Sequence, residues 1–171
     1  VILSAGTGVR VLNFSGCTFE NNITANYGIV ANTDASSATI NFSDCTFKNN
    51  SAKYGAALYV ANGKIYCVGC EFTSNVATTE VDKADAFGGA VCVKKGNVTI
   101  DGVTFTGNSA QNYGGAVHAS GVEISIKNSS FTGNNSACGG ALSNEIGVMI
   151  VDGCSFKENG SVSKAGMGGA I

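Results

Sequence analysis

The chain has 171 residues with 24 glycines, no proline, no tryptophan, 13% charged residues and a formal charge of −2. That length supports one domain with its own core. The charge balance leaves no basic excess to hold nucleic acid, and the absence of proline excludes collagen and polyproline modules. No apolar run approaches the roughly 18 residues of a membrane-spanning helix.

In chain order, the first predicted unit sets Leu12 and Phe14 two residues apart, then Gly16, then Cys17-Thr18-Phe19, then Asn22 and a string Gly28-Ile29-Val30-Ala31. The second repeats it with Ile40, Phe42, Asp44, Cys45-Thr46-Phe47, Asn50 and Gly55-Ala56-Ala57-Leu58, and the third with Ile65, Cys67, Gly69, Cys70-Glu71-Phe72, Asn75 and Gly88-Gly89-Ala90-Val91. Val98, Ile100, Gly102, Phe105, Asn108 and Gly114-Gly115-Ala116-Val117 form the fourth. The fifth has Ile124, Ile126, Asn128, Phe131, Asn134 and Gly139-Gly140-Ala141-Leu142, and the sixth Met149, Val151, Gly153, Phe156, Asn159 and Gly168-Gly169-Ala170-Ile171. The intervals between the phenylalanines are 28, 25, 33, 26 and 25 residues.

Alternation of period two ahead of each Phe is the signature of a strand. The phase slips once, at Gly16, Asp44, Gly69, Gly102, Asn128 and Gly153, residue types suited to a positive φ. Each repeat therefore reads as a strand, a sharp bend, a second strand carrying the Phe, a turn at Asn, and a third strand at Gly-Gly-Ala-aliphatic. Repeats of this length that stack on one another predict a solenoid. The expected fold is all-β: a right-handed parallel β-helix of about six coils of three short strands, one repeat domain over residues 1–171. Coils rising about 4.8 Å give a rod roughly 30 Å long. Starting on Val1 and stopping inside a repeat, the chain reads as an uncapped fragment of a longer rod, expected to associate end to end through its open strand edges.

The repeat assigns structural roles. Phe19, Phe47, Phe72, Phe105, Phe131 and Phe156 should stack inside the coil. Asn22, Asn50, Asn75, Asn108, Asn134 and Asn159 should form an amide ladder, because an amide both donates and accepts. Cys17, Cys45, Cys70 and Cys154 share their column with Val103 and Ser129, which marks a small inward residue and not a metal ligand. Cys67-x-x-Cys70 lacks the second ligand pair of a zinc site.

The sequence gathers no catalytic constellation. The acids Glu20, Asp44, Glu71, Asp101, Asp152 and Glu158 are scattered along the repeat, without the paired carboxylates that glycoside hydrolysis needs. His118, the one histidine, is expected as a solvated residue on the outer face of the third strand. No catalytic residue, metal site or cofactor is assigned. The longest insertion lies between Asn75 and Gly88, and its charged members Glu80, Asp82, Lys83 and Asp85 are the candidate binding residues. A second insertion runs over 160–167.

The pairing of Phe-x-x-Asn, found six times, with Gly-Gly-Ala-[Ile/Leu/Val] resembles the repeat of the chlamydial polymorphic membrane proteins and of related adhesin-like surface proteins. The likeness rests on all six Phe-x-x-Asn pairs and on the strings at Gly88, Gly114, Gly139 and Gly168, while Gly28-Ile29-Val30 departs from it. It implies a β-helical passenger at the cell surface, in the outer membrane or secreted. Such a passenger would be exported through a C-terminal β-barrel not among these residues, which is the one expected means of membrane attachment. It further implies a non-catalytic stalk, continuous with flanking coils of its own chain, that displays loops to a host-cell protein or glycan. The alternative is a carbohydrate-binding or carbohydrate-active β-helix, resembling polysaccharide lyases or hydrolases.

Overall fold

A computed structural model describes residues 2–4, 10–33, 38–79, 86–161 and 168–171. Among these, every strand pairing is parallel, and the chain winds into a β-solenoid of four sheets with no helix. Three sheets hold six strands each and the fourth holds five, which amounts to about five complete turns.

Each coil opens with a long strand, as in Ala38–Ser43, Gly96–Asp101 or Val122–Lys127. Its burial alternates strictly in Ala38–Ser43 and Lys64–Val68, so the period-two pattern of the sequence is the inside and outside of the rod, while in the last coil, at Gly147–Asp152, Met149 alone is partly shielded. The columns fall in the expected register: Leu12, Ile40, Ile65, Val98, Ile124 and Met149 lie side by side, as do Phe14, Phe42, Cys67, Ile100, Ile126 and Val151. Outside, Lys127 sits between Asp101 and Asp152, a charge alternation across three coils.

The bend after this strand has positive φ in every coil, at Gly16, Asp44, Gly69, Gly102, Asn128 and Gly153, with values of 50–62°. It delivers the three-residue strand of the Phe column. Neighbouring rings of that column stand 4.7–4.9 Å apart and within 11° of parallel from Phe19 to Phe156. Phe47, Phe72, Phe105 and Phe131 are fully buried. Phe14 and Phe42 add a second stacked pair at 5.1 Å, edge-on to the first column.

The ladder asparagine follows. The backbone N–H and the side-chain Nδ2 of Asn75 both donate to Oδ1 of Asn108, at 3.0 and 2.9 Å, and Asn108 repeats this toward Asn134. Each Nδ2 donates a second bond to the phenylalanine carbonyl one coil back, Asn75 to Phe47 and Asn108 to Phe72. The chain therefore turns inside the core with its polar atoms satisfied. Cys45, Cys70, Val103 and Ser129 form the small inward column, and all seven cysteines are thiols.

Two details differ from the expectation of three strands. A separate two-residue strand follows the ladder, as at Ser51–Ala52, Val76–Ala77 and Ser109–Ala110. It is too short to show alternation in the sequence. The last strand also begins after the glycines, at Leu58–Val60, Val91–Val93 and Val117–Ala119. The glycines form the corner. The first has positive φ, and a Cβ on the second would stand 2.0 Å from the next coil's carbonyl at Gly89 and Gly115. In the first string Val30 pairs with Leu58 and Tyr27 with Tyr54, so Gly28-Ile29-Val30 is one residue shorter than the later corners.

Candidate functional site

The charged insertion residues Glu80, Asp82, Lys83 and Asp85 lie outside the described residues, as does most of the 160–167 stretch. The described flanks of the longer insertion are held by the next coil. Thr79 N–H donates to Gln111 Oε1 at 3.0 Å and Ala86 N–H to Asn112 Oδ1 at 3.1 Å. The next residue after that anchor is Phe87.

Phe87 belongs to a column with Tyr27, Tyr54, Tyr113 and Cys138, each immediately ahead of a corner glycine and bridged in parallel to its neighbours. Their rings form a row along the outside of the rod, with centroids 6.2, 5.8 and 5.5 Å apart. Beneath the row run the outward residues of the last strand: Ala31, Tyr59, Cys92, His118 and Ser143. Tyr59 stacks on Tyr27 at 4.4 Å and His118 on Phe87 at 5.0 Å. Lys94 places its ammonium 5.1 Å from the Phe87 centroid and 5.7 Å from that of Tyr54, within cation–π range.

His118 corrects the sequence reading. It does occupy the outward side of its strand, but the row covers that side, so it is 2% exposed and neither ring nitrogen has a hydrogen-bond partner. Burial, helped by the Lys94 charge and opposed by Glu145, lowers its pKa to about 4. Burial likewise raises Cys92 to about 12 against the pull of Lys94. Tyr59 is pushed up to about 12, by burial and then by Cys92, Tyr27 and Tyr54. At neutral pH the three groups under the row are uncharged.

The row stops after Tyr113. In the following coil the two positions hold Cys138 and Ser143, and the place of the missing rings is a cleft of about 220 Å³. It is lined by Phe87, Tyr113, His118, Ser143, Asn144 and Glu145. Tyr113 is 42% exposed.

Inside the core, Cys67 and Cys70 are both 1% exposed. The Cys67 thiol hydrogen-bonds to Cys70, which raises Cys67 well above its ordinary value and lowers Cys70 to about 7. Among the described residues, no group of three or more His, Cys, Asp or Glu is gathered as a metal site would require.

Sequence reasoning missed the aromatic row because it aligned the repeats on Phe-x-x-Asn. Insertions of variable length separate that motif from the glycine string and scatter Tyr27, Tyr54, Phe87 and Tyr113. Anchored instead on the first corner glycine, the preceding position is aromatic in four of the six repeats, at Tyr27, Tyr54, Phe87 and Tyr113, against Cys138 and Met167.

Fold and site together define a parallel β-solenoid with phenylalanine and asparagine ladders inside and an aromatic row on one flank. The family model of the Chlamydia polymorphic membrane protein (Chlamydia_PMP) repeat matches at residues 44–61 and 102–120. Each match starts at a positive-φ bend, Asp44 or Gly102, and runs through Phe-x-x-Asn into the glycine corner. The chain carries this repeat, as its motifs imply. No curated protein and no solved structure matches it.

Proposed function

We propose that the chain is a non-catalytic segment of a surface-exposed adhesin passenger, a rigid stalk that holds binding surfaces away from the cell. The observation that carries this reading is the unbroken internal stack. Five phenylalanine contacts and a continuous amide ladder lock each coil to the next, so a kink between any two coils must break the buried ring and amide contacts across that interface. The matched repeat supports a place in the outer membrane or at the cell surface. A stalk with stiffness to spare can carry insertions without loss of its core, and the one after Asn75 is anchored at both ends by hydrogen bonds to the next coil. Its charged residues Glu80, Asp82, Lys83 and Asp85 are offered as contacts to a host-cell protein or glycan.

The test is adhesion of beads coated with the 171-residue chain to cultured epithelial cells. Binding above albumin-coated beads is expected. Deletion of residues 80–85 should reduce it while β-rich circular dichroism persists. Bare-bead levels of attachment for the intact chain would refute the adhesive reading and leave a plain spacer.

A further inference from the structure

We propose that the cleft at the end of the aromatic row is a binding site for one neutral pyranose ring, seated as the next member of the row. This deepens the adhesive reading by giving it a ligand class. The row is built by placing a ring on a ring from coil to coil, and at Cys138 and Ser143 the protein supplies none. Tyr113 and His118 thus meet small residues where their neighbours below meet aromatics. The vacancy of about 220 Å³ is smaller than the roughly 300 Å³ at which sites for drug-sized ligands begin. One six-membered ring suits it better than a longer ligand.

The chemistry of the walls selects the kind of ring. An aromatic face by itself attracts cations, but Lys94 already holds a positive charge 5.1 Å from the Phe87 centroid. Glu145 opposes an anion. A neutral ligand remains, with an apolar face for Tyr113 and polar groups for Ser143, Asn144 and Glu145 at the edge. His118 is the independent observation. It lines the cleft, it is buried, and both its nitrogens lack partners. A neutral imidazole has one donor and one acceptor on diverging edges, and a sugar hydroxyl, which can donate or accept, suits whichever nitrogen borders the cleft. A plain aromatic ring would leave that edge unsatisfied at a cost.

The experiment is saturation-transfer NMR on the 171-residue chain with methyl β-glucopyranoside, methyl β-galactopyranoside and methyl α-mannopyranoside, with phenol as comparison. Transfer to ring protons of at least one glycoside is expected. Tyr113→Ala should weaken binding at least about tenfold, equivalent to 1.4 kcal/mol. Cys138→Phe should do the same by supplying the missing ring from the protein, with a melting temperature equal to or above that of the wild type, so it tests the site even if Tyr113→Ala misfolds. Tyr27→Ala, at the far end of the row, should bind normally. No transfer to any of the three glycosides, undiminished transfer in folded Cys138→Phe, or stronger transfer to phenol would each overturn the assignment. The last result would mark the cleft as a seat for an aromatic side chain. Adhesion that survives in Tyr113→Ala would sink the sugar's role in adhesion and leave the adhesive reading standing. Sugar transfer without any bead adhesion would do the reverse.

Discussion

Replacing Asn108 by aspartate probes the ladder most directly, because it changes one amide group to a carboxyl of nearly the same shape. Asn108 is fully buried. Its Oδ1 accepts from the backbone and side chain of Asn75, and its Nδ2 donates to Asn134 Oδ1 and to Phe72 O at 3.0 and 2.9 Å. An ionised aspartate keeps the acceptor role and loses both donations. It also sets a negative oxygen beside two acceptor oxygens. Phe72 O loses its side-chain donor and Asn134 Oδ1 keeps only the Asn108 backbone N–H; losing such buried bonds costs about 1–3 kcal/mol, and burying an uncompensated charge costs several more. The deficit at pH 7 should be about 4 kcal/mol or greater. Protonation restores one donor, so the folded state raises the carboxyl's pKa above its unfolded value near 3.9. Below that value the restored stability is fully present; it is lost as pH rises toward the folded pKa. Urea titrations followed by circular dichroism, wild type and variant side by side from pH 3.5 to 7 (a range set by the ~3.9 reference), give the deficit directly. A deficit that stays the same across that range, or a variant as stable as the wild type at pH 7, would refute the donor role assigned to the ladder.

Other expectations follow from the same geometry. Phe72→Ala should cost about 3–5 kcal/mol, and Phe156→Ala, at a half-buried position, clearly less by the same denaturation measurement. Gly115→Ala drives a Cβ to 2.0 Å from the Gly140 carbonyl and should lower the melting temperature severely; Gly133→Ala, with nothing within 4 Å, should cost only the roughly 1 kcal/mol of a left-handed alanine. His118 has a folded pKa of about 4 against 6.5 unfolded, so stability should fall as pH drops through that window, by up to roughly 3 kcal/mol. Lys94 strengthens the effect and Glu145 weakens it. A His118→Phe chain should lack that share of the slope, and an unchanged slope in thermal melts would exclude His118 as its source. Ellman's reagent should reach Cys17, Cys138 and Cys154 in the native protein and leave Cys45, Cys67, Cys70 and Cys92 unreacted until denaturant is added. Rapid native reaction of Cys70 would contradict its burial, since a lowered pKa gives reactivity only to an accessible thiol.

The amino-acid sequence by itself determined the coil. Its inward columns, its positive-φ bends at Gly16, Asp44 and their equivalents, and its Phe and Asn ladders are written in consecutive residues, because parallel in-register stacking places each residue beside its own counterpart. The sequence did not show that the outside of the last strand is covered. That depends on side chains several residues away, across glycine corners and insertions of different lengths, and only folding brings Tyr113 over His118. Outward position on a strand therefore does not mean contact with water, and the buried, partnerless histidine and the cleft beside it were decided by tertiary structure alone.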